Sequence, residues 1–131
     1  RSRRQRQMCI RDRARAEAVR HAEVYRGSFA ISVCPSENVE SPTIVGAQAA
    51  NELLNIIGIK ASFVLTEYND KIYISSRSID EINVQIIMEK LGGGGHLNVA
   101  GAQLTGVTIV QAKRMIQDTL DEMLKEGDIE E

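Results

Sequence analysis

The 131 residues predict an α/β domain with a mixed β-sheet and flanking helices, in the order β-α-β-β-α-β-α. Three observations carry that expectation. Two uncharged, apolar runs at 28–34 and 61–66 bracket a helical pattern, as in a β-α-β unit. Asn69-Asp70 then joins the second run to an alternating segment, 71–77, as a hairpin turn would. Two later segments, starting at Val84 and Ile109, place apolar residues at helical spacing.

Taken in order, residues 14–25 read as the end of a helix, with Ala18, Ala22 and Tyr25 at helical spacing, the tail of a linker from an upstream domain. Gly27 breaks it. In Ser28–Cys34, Phe29, Ile31 and Val33 share one face and Ala30, Ser32 and Cys34 the other. Two faces so poor in charge predict a central strand covered on both sides. Ser41 is expected to cap a helix with Pro42 in its first turn. Ile44, Ala47, Ala50, Leu54 and Ile57 form its stripe, and Gly58 stops it. Ala61–Tyr68 is the second strand, reached by a right-handed crossover. Lys71–Arg77 is the third, with Ile72 and Ile74 on one face and Lys71, Tyr73, Ser75 and Arg77 on the other. Val84, Ile87, Met88 and Leu91 make a short helix ending at Gly92. A strand at Ala102–Leu104 precedes a final helix, opened by the capping pair Thr108 and Gln111. Its stripe is Ile109, Ala112, Ile116, Leu120 and Met123, and the acidic tail at 126–131 is expected to fray.

The core implied is aliphatic: 43% of residues are hydrophobic, only 4% are aromatic and Trp is absent. No apolar run approaches the roughly 20 residues that span a bilayer, so a soluble, cytoplasmic domain is expected. Cys9 and Cys34 lack metal-site or redox spacing, and Cys34 reads as a small buried hydrophobe. The net charge of −2 conceals an asymmetry. Residues 1–15 carry seven Arg and one Asp, leaving 9 basic and 17 acidic residues in the rest. Binding long nucleic acid needs many Lys/Arg–phosphate contacts, which that body lacks. One small anion held by an arginine and backbone N–H groups is compatible with it. Residues 1–13, RSRRQRQMCIRDR, match nothing that follows. They read as a basic arm or, preferably, as non-native sequence of the translated-adapter kind, disordered and outside the fold. The domain proper is set at 14–125.

The chemistry-bearing stretch is Gly92-Gly93-Gly94-Gly95-His96. Each ordered glycine costs on the order of 1 kcal/mol more than alanine, so an ordered run implies a demand for bare backbone. Two readings compete: a linker or helix stop, and a loop that lets a ligand approach main-chain N–H groups arranged as an anion nest. A helical turn near Leu97 would add further N–H groups. The stretch is not a Walker loop, having no Lys-Ser/Thr and following a helix. His96 could donate to phosphate or stack on a base. Arg77 and Ser78, within Ser75-Ser76-Arg77-Ser78, are candidates for holding phosphate or base. A two-metal hydrolytic centre needs several Asp and His ligands around ions about 4 Å apart. His21 and His96 are far apart in sequence, and the acids gather at the tail, so no metal site and no catalytic residue is expected in this chain.

The string Gly92-Gly-Gly-Gly-His96-Leu-Asn-Val-Ala-Gly101 resembles the glycine-histidine motif of the DHH-associated domain, the C-terminal half of DHH phosphoesterases. With Ile74–Ser78 and Asn83–Leu91, it is most similar to the branch of membrane-anchored cyclic-di-AMP phosphodiesterases. Val99-Ala100-Gly101 departs mildly from the Ala-Ala-Gly of many relatives. The resemblance implies that an upstream DHH domain of the same polypeptide holds two manganese ions. Gly92–His96 and Ser75–Ser78 would then contact a cyclic dinucleotide or short oligonucleotide, with no cofactor bound by this chain and no direct membrane contact. It further implies a cytoplasmic domain of a membrane-anchored parent, and a second copy is a candidate partner. The alternatives are an oligoribonuclease or phosphoadenosine-phosphate phosphatase, a single-strand exonuclease or alanyl-tRNA synthetase tail, and a non-catalytic nucleotide sensor or dimerisation domain.

Overall fold

The computed structural model describes residues 2–131. Its elements are α1 (Arg3–Arg20), β1 (Glu23–Tyr25), β2 (Phe29–Cys34), α2 (Pro42–Leu53), β3 (Ala61–Tyr68), β4 (Lys71–Ser78), α3 (Val84–Lys90), β5 (Gly94–Gly95), β6 (Val99–Thr105) and α4 (Ile109–Glu126). One six-stranded sheet runs β1-β2-β3-β4-β6-β5. Only β2 and β3 are parallel, joined through α2; every other neighbouring pair is antiparallel. The mixed α/β class is therefore as expected, with β1 and β5 added at the two edges.

Strand alternation sorts the interior into two layers. Phe29, Ile31, Phe63, Leu65, Ile72 and Ile74 face α3 and α4, whose Val84, Ile87, Met88, Ile116 and Leu120 complete the larger core. On the opposite face Ala30, Cys34 and Val64 lie under Ala14 and Ala18 of α1 and Val45, Ala49, Ala50 and Leu53 of α2. That second layer covers β2 and β3 and thins out over β4. No helix among the described residues is long and apolar enough to cross a membrane.

Several local expectations need correcting. The buried stripe of α2 is Val45, Gly46, Ala49, Ala50 and Leu53, while Ile44 is exposed and Ile57 fully so. Ile44 instead lies on the side of Gln48 and Asn51, and the small ridge faces inward because it lets α2 approach the sheet closely. A methyl group on Gly46 would lie 2.5 Å from Thr66 Oγ1. Ser41 sits in the left-handed region (φ 53°) and makes no side-chain cap, although Pro42 does open the helix. Tyr25 leaves the helical pattern for β1, where it pairs with Phe29. Residues 3–13 are continuous with 14–20 in α1, whose Ser2 and Gln5 form a capping box. Arginine and glutamine are good helix formers, so the change in composition near residue 13 does not interrupt the helix. The tail does not fray either. Gly127 (φ 80°) ends α4, Asp128 N donates to Met123 O, and Ile129 is buried in the core.

Candidate ligand groove

β4 and β6 carry the candidate site on the face that α1 and α2 leave uncovered. Cross-strand register pairs Tyr73 with Gln103, Ser75 with Gly101 and Arg77 with Val99, and β5 adds Gly94 beside Gly101. Paired residues point to the same side. The middle row, Ser75–Gly101–Gly94, is therefore nearly bare backbone between two rows of larger side chains. A cleft of about 530 Å³ lies here, lined by Thr43, Tyr73, Ser75, Gly92, Gly93, Gly101 and Gln103 among others. That is within the range of small-molecule pockets.

Arg77, Gly94 and His96 are not among the residues that line this cleft; Arg77 lies one row further along β4 on the same face. Its Nε donates to Asn51 Oδ1 at 2.9 Å and its Nη1 to Ser76 O at 2.8 Å. Both partners are neutral, and none of the ion pairs among the described residues involves Arg77. Burial lowers the pKa of its guanidinium from the ordinary value, although the group remains charged at neutral pH. A half-buried cation without a counter-ion is costly unless something anionic completes it.

The four glycines divide by cause. Gly92 (φ 86°) is the left-handed stop of α3: its N–H donates to Glu89 O, and that of Gly93 to Met88 O. A Cβ on Gly93 would collide with the Gly101 carbonyl, and one on Gly95 (φ 147°) would lie 2.5 Å from Ala100 Cα. Gly94 alone has neither a positive φ nor any atom within 4 Å of a built Cβ. Helix stopping and close β5–β6 pairing thus account for three of the four. The expected anion nest is not formed, because the N–H groups of Gly92, Gly93 and His96 are all taken by backbone carbonyls. No helical turn starts at Leu97; the chain turns directly into β6.

His96 N donates to Val99 O at 2.7 Å, which extends the β5–β6 register by one pair. His96, Val99 and Arg77 thus occupy one row, the outer two backbones roughly 10 Å apart. The His96 residue is exposed. Ser78 does not join them. It lies on the opposite face, 4% exposed, with its hydroxyl on Ile82 O at 2.6 Å and near Leu97 O at 3.2 Å. It fastens the end of β4 to the turn after His96, so Ser78 belongs to the scaffold.

Sequence reasoning missed Asn51, Thr43, Gly101 and Gln103. Gly101 and Val99 were hidden by placing the last strand too short. Asn51 gave no signal at all, since its partner is 26 residues away. The manganese is expected on an upstream domain, and no group of three or more His, Cys, Asp or Glu able to hold a metal is found among the described residues. The donor set does not fit such an ion.

Fold and groove together define an α/β module with an open, glycine-floored sheet face. The chain belongs to the DHHA1 domain family, which it matches over residues 27–126. It is 45% identical over 108 residues to the cyclic-di-AMP phosphodiesterase PdeA of Listeria monocytogenes, covering 82% of this chain and 16% of that protein. It is 37% identical over 115 residues to the cyclic-di-AMP phosphodiesterase GdpP of Bacillus subtilis, covering 86% and 18% respectively. The chain therefore spans less than a fifth of these relatives. An exopolyphosphatase-related protein from Bacteroides fragilis shares the fold, with a TM-score of 0.77 at 22% identity over 86% of this chain and 34% of that one. The family resemblance read from the glycine-histidine string is borne out. A cleft of about 630 Å³ lies between α1 and Glu40, and its α1 lining, Arg3, Arg4, Gln7, Met8 and Arg11, is outside the family match.

Proposed function

We propose that this chain is the substrate-binding part of a phosphodiesterase that hydrolyses a cyclic dinucleotide, with cyclic-di-AMP as the ligand. The carrying observation is Arg77, half-buried, held by neutral acceptors and uncompensated beside a bare-backbone floor. A phosphate would complete the guanidinium. A base could lie flat on the Ser75–Gly101–Gly94 row, where no side chain stands in its way, with the His96 imidazole at the rim to donate or stack. The hydrolytic step belongs, in this reading, to two manganese ions on an upstream DHH domain of the same polypeptide. That parent is anchored in the bacterial membrane with this domain on the cytoplasmic side. The net charge of −8 outside residues 1–15 favours a short ligand over a long nucleic acid.

The test is calorimetric titration of cyclic-di-AMP into wild type and three variants, with circular dichroism reporting the fold. Arg77→Ala is expected to lose about 10- to 150-fold in affinity, the range for a hydrogen-bonded charge. Arg77→Lys should recover only part of it, because an ammonium cannot keep the Asn51 and Ser76 contacts while offering a second edge. His96→Ala, at the exposed rim, should lose about three- to tenfold. Gly94→Ala should fold normally yet bind more weakly, since its methyl group would meet only the ligand. Unchanged affinity in both Arg77→Ala and Gly94→Ala would remove the groove from the account.

A further inference from the structure

Asn51 lies on the exposed side of α2, opposite the helix's buried ridge, and reaches Arg77 across the rim of the sheet. Arginine offers only donors, so the atom facing Nε must be the amide oxygen, and Nδ2 turns away. The next residue back strengthens the arrangement. Ser62, the β3 neighbour of Arg77, donates its hydroxyl to Ala50 O at 2.7 Å. One cross-strand row, Ser62–Arg77, thus fixes both the backbone of α2 at Ala50 and the guanidinium through Asn51. With Nε on Asn51 and Nη1 on Ser76 O, the guanidinium plane is set and Nη2 is left over.

The chemistry of the partner is informative. A carboxylate at position 51 would hold Arg77 more strongly, yet it would neutralise the charge and add a negative one beside the groove. An amide orients without neutralising. We infer that Asn51 is a positioning residue for Arg77: it fixes the guanidinium plane while leaving its positive charge available to a phosphate of the ligand. This inference rests on the reading of the groove given above and assigns a role to a residue outside its floor.

The experiment is a double-mutant cycle in cyclic-di-AMP affinity, using Asn51→Ala, Arg77→Ala and the pair, with Asn51→Asp as a fourth protein. Asn51 is exposed, so Asn51→Ala and Asn51→Asp should melt within a degree or two of wild type, and the pair within a degree or two of Arg77→Ala. Asn51→Ala is expected to weaken binding about three- to tenfold in the wild-type background. It should have no effect once Arg77 is gone, because its action runs through that side chain. Asn51→Asp should bind at least as weakly as Asn51→Ala, although it keeps an acceptor in place. A merely structural asparagine would give a loss that persists in the Arg77→Ala background, which would overturn the inference. Silence of Asn51→Ala alongside a clear Arg77→Ala defect would overturn it while leaving the groove reading intact, as would wild-type affinity in Asn51→Asp. Silence of Arg77→Ala itself would remove both.

Discussion

At Gly94 a methyl group would meet nothing, whereas at Gly95 it would strike Ala100 and at Gly93 the Gly101 carbonyl. Adjacent residues of one type therefore answer to different causes, and only one of the four is left for a ligand to explain. Cys34 shows the same dependence on surroundings. It is 2% exposed beneath α1, and burial pushes its thiol up to about 11 from an ordinary value of 9.0. The native chain keeps the neutral form, and the unfolded chain ionises first as pH rises. The contribution of Cys34 to stability is thus intact below pH 9 and falls between about pH 9 and 11. Alkylation at pH 8, followed by peptide mass spectrometry, should label Cys34 only at the rate of global opening. Rapid labelling without denaturant would show that the α1–β2 contact is loose. A Cys34→Ala variant should lose that part of the alkaline decline in melting temperature.

Elements defined by strict periodicity were legible in advance. β3 has the bounds read for it, Asn69 and Asp70 both take the positive φ of a tight hairpin, and the stripes of α3 and α4 face the core. The Thr108–Gln111 box is also present, at 2.8 and 3.1 Å. Helix α2 was misread by one position because apolar residues lie on several of its sides, and spacing alone cannot choose among them. Tertiary fit chose Gly46, where Thr66 Oγ1 is buried with no hydrogen-bond partner among the described residues. A Gly46→Ala substitution forces a methyl group against that hydroxyl and should cost about 1–3 kcal/mol in denaturant unfolding. Shortening the opposite side chain should relieve the clash, so Gly46→Ala with Thr66→Ala should lose less than the two single losses summed. Strict additivity would mean that α2 does not approach the sheet this closely. The short edge strands were invisible for another reason. Two or three residues carry no period, and β1 and β5 exist only because neighbouring strands offer them hydrogen bonds.

At the scale of the molecule, the sheet is covered on one side throughout but on the other only over β2 and β3, and the groove lies in the part left open over β4–β6. That asymmetry follows from the connections. The single parallel crossover places α2 over β2 and β3, whereas the hairpin β3–β4 and the return through β6 bring no helix to that face. Sequence alone singled out the glycine-histidine stretch and Arg77 as candidates, since both are local signals. It could not show that Ser78 points away or that Asn51 completes Arg77, since those facts belong to register and to helix placement. The account stands or falls on ligand contact with this one face. The most direct measurement is a titration of cyclic-di-AMP into the isotope-labelled chain, followed by amide chemical shifts. It should move Ser75, Arg77, Gly93–His96 and Gly101 together, with α4 and the α1–Glu40 cleft unmoved. Shifts confined to those other surfaces, or no shifts at millimolar ligand, would contradict it.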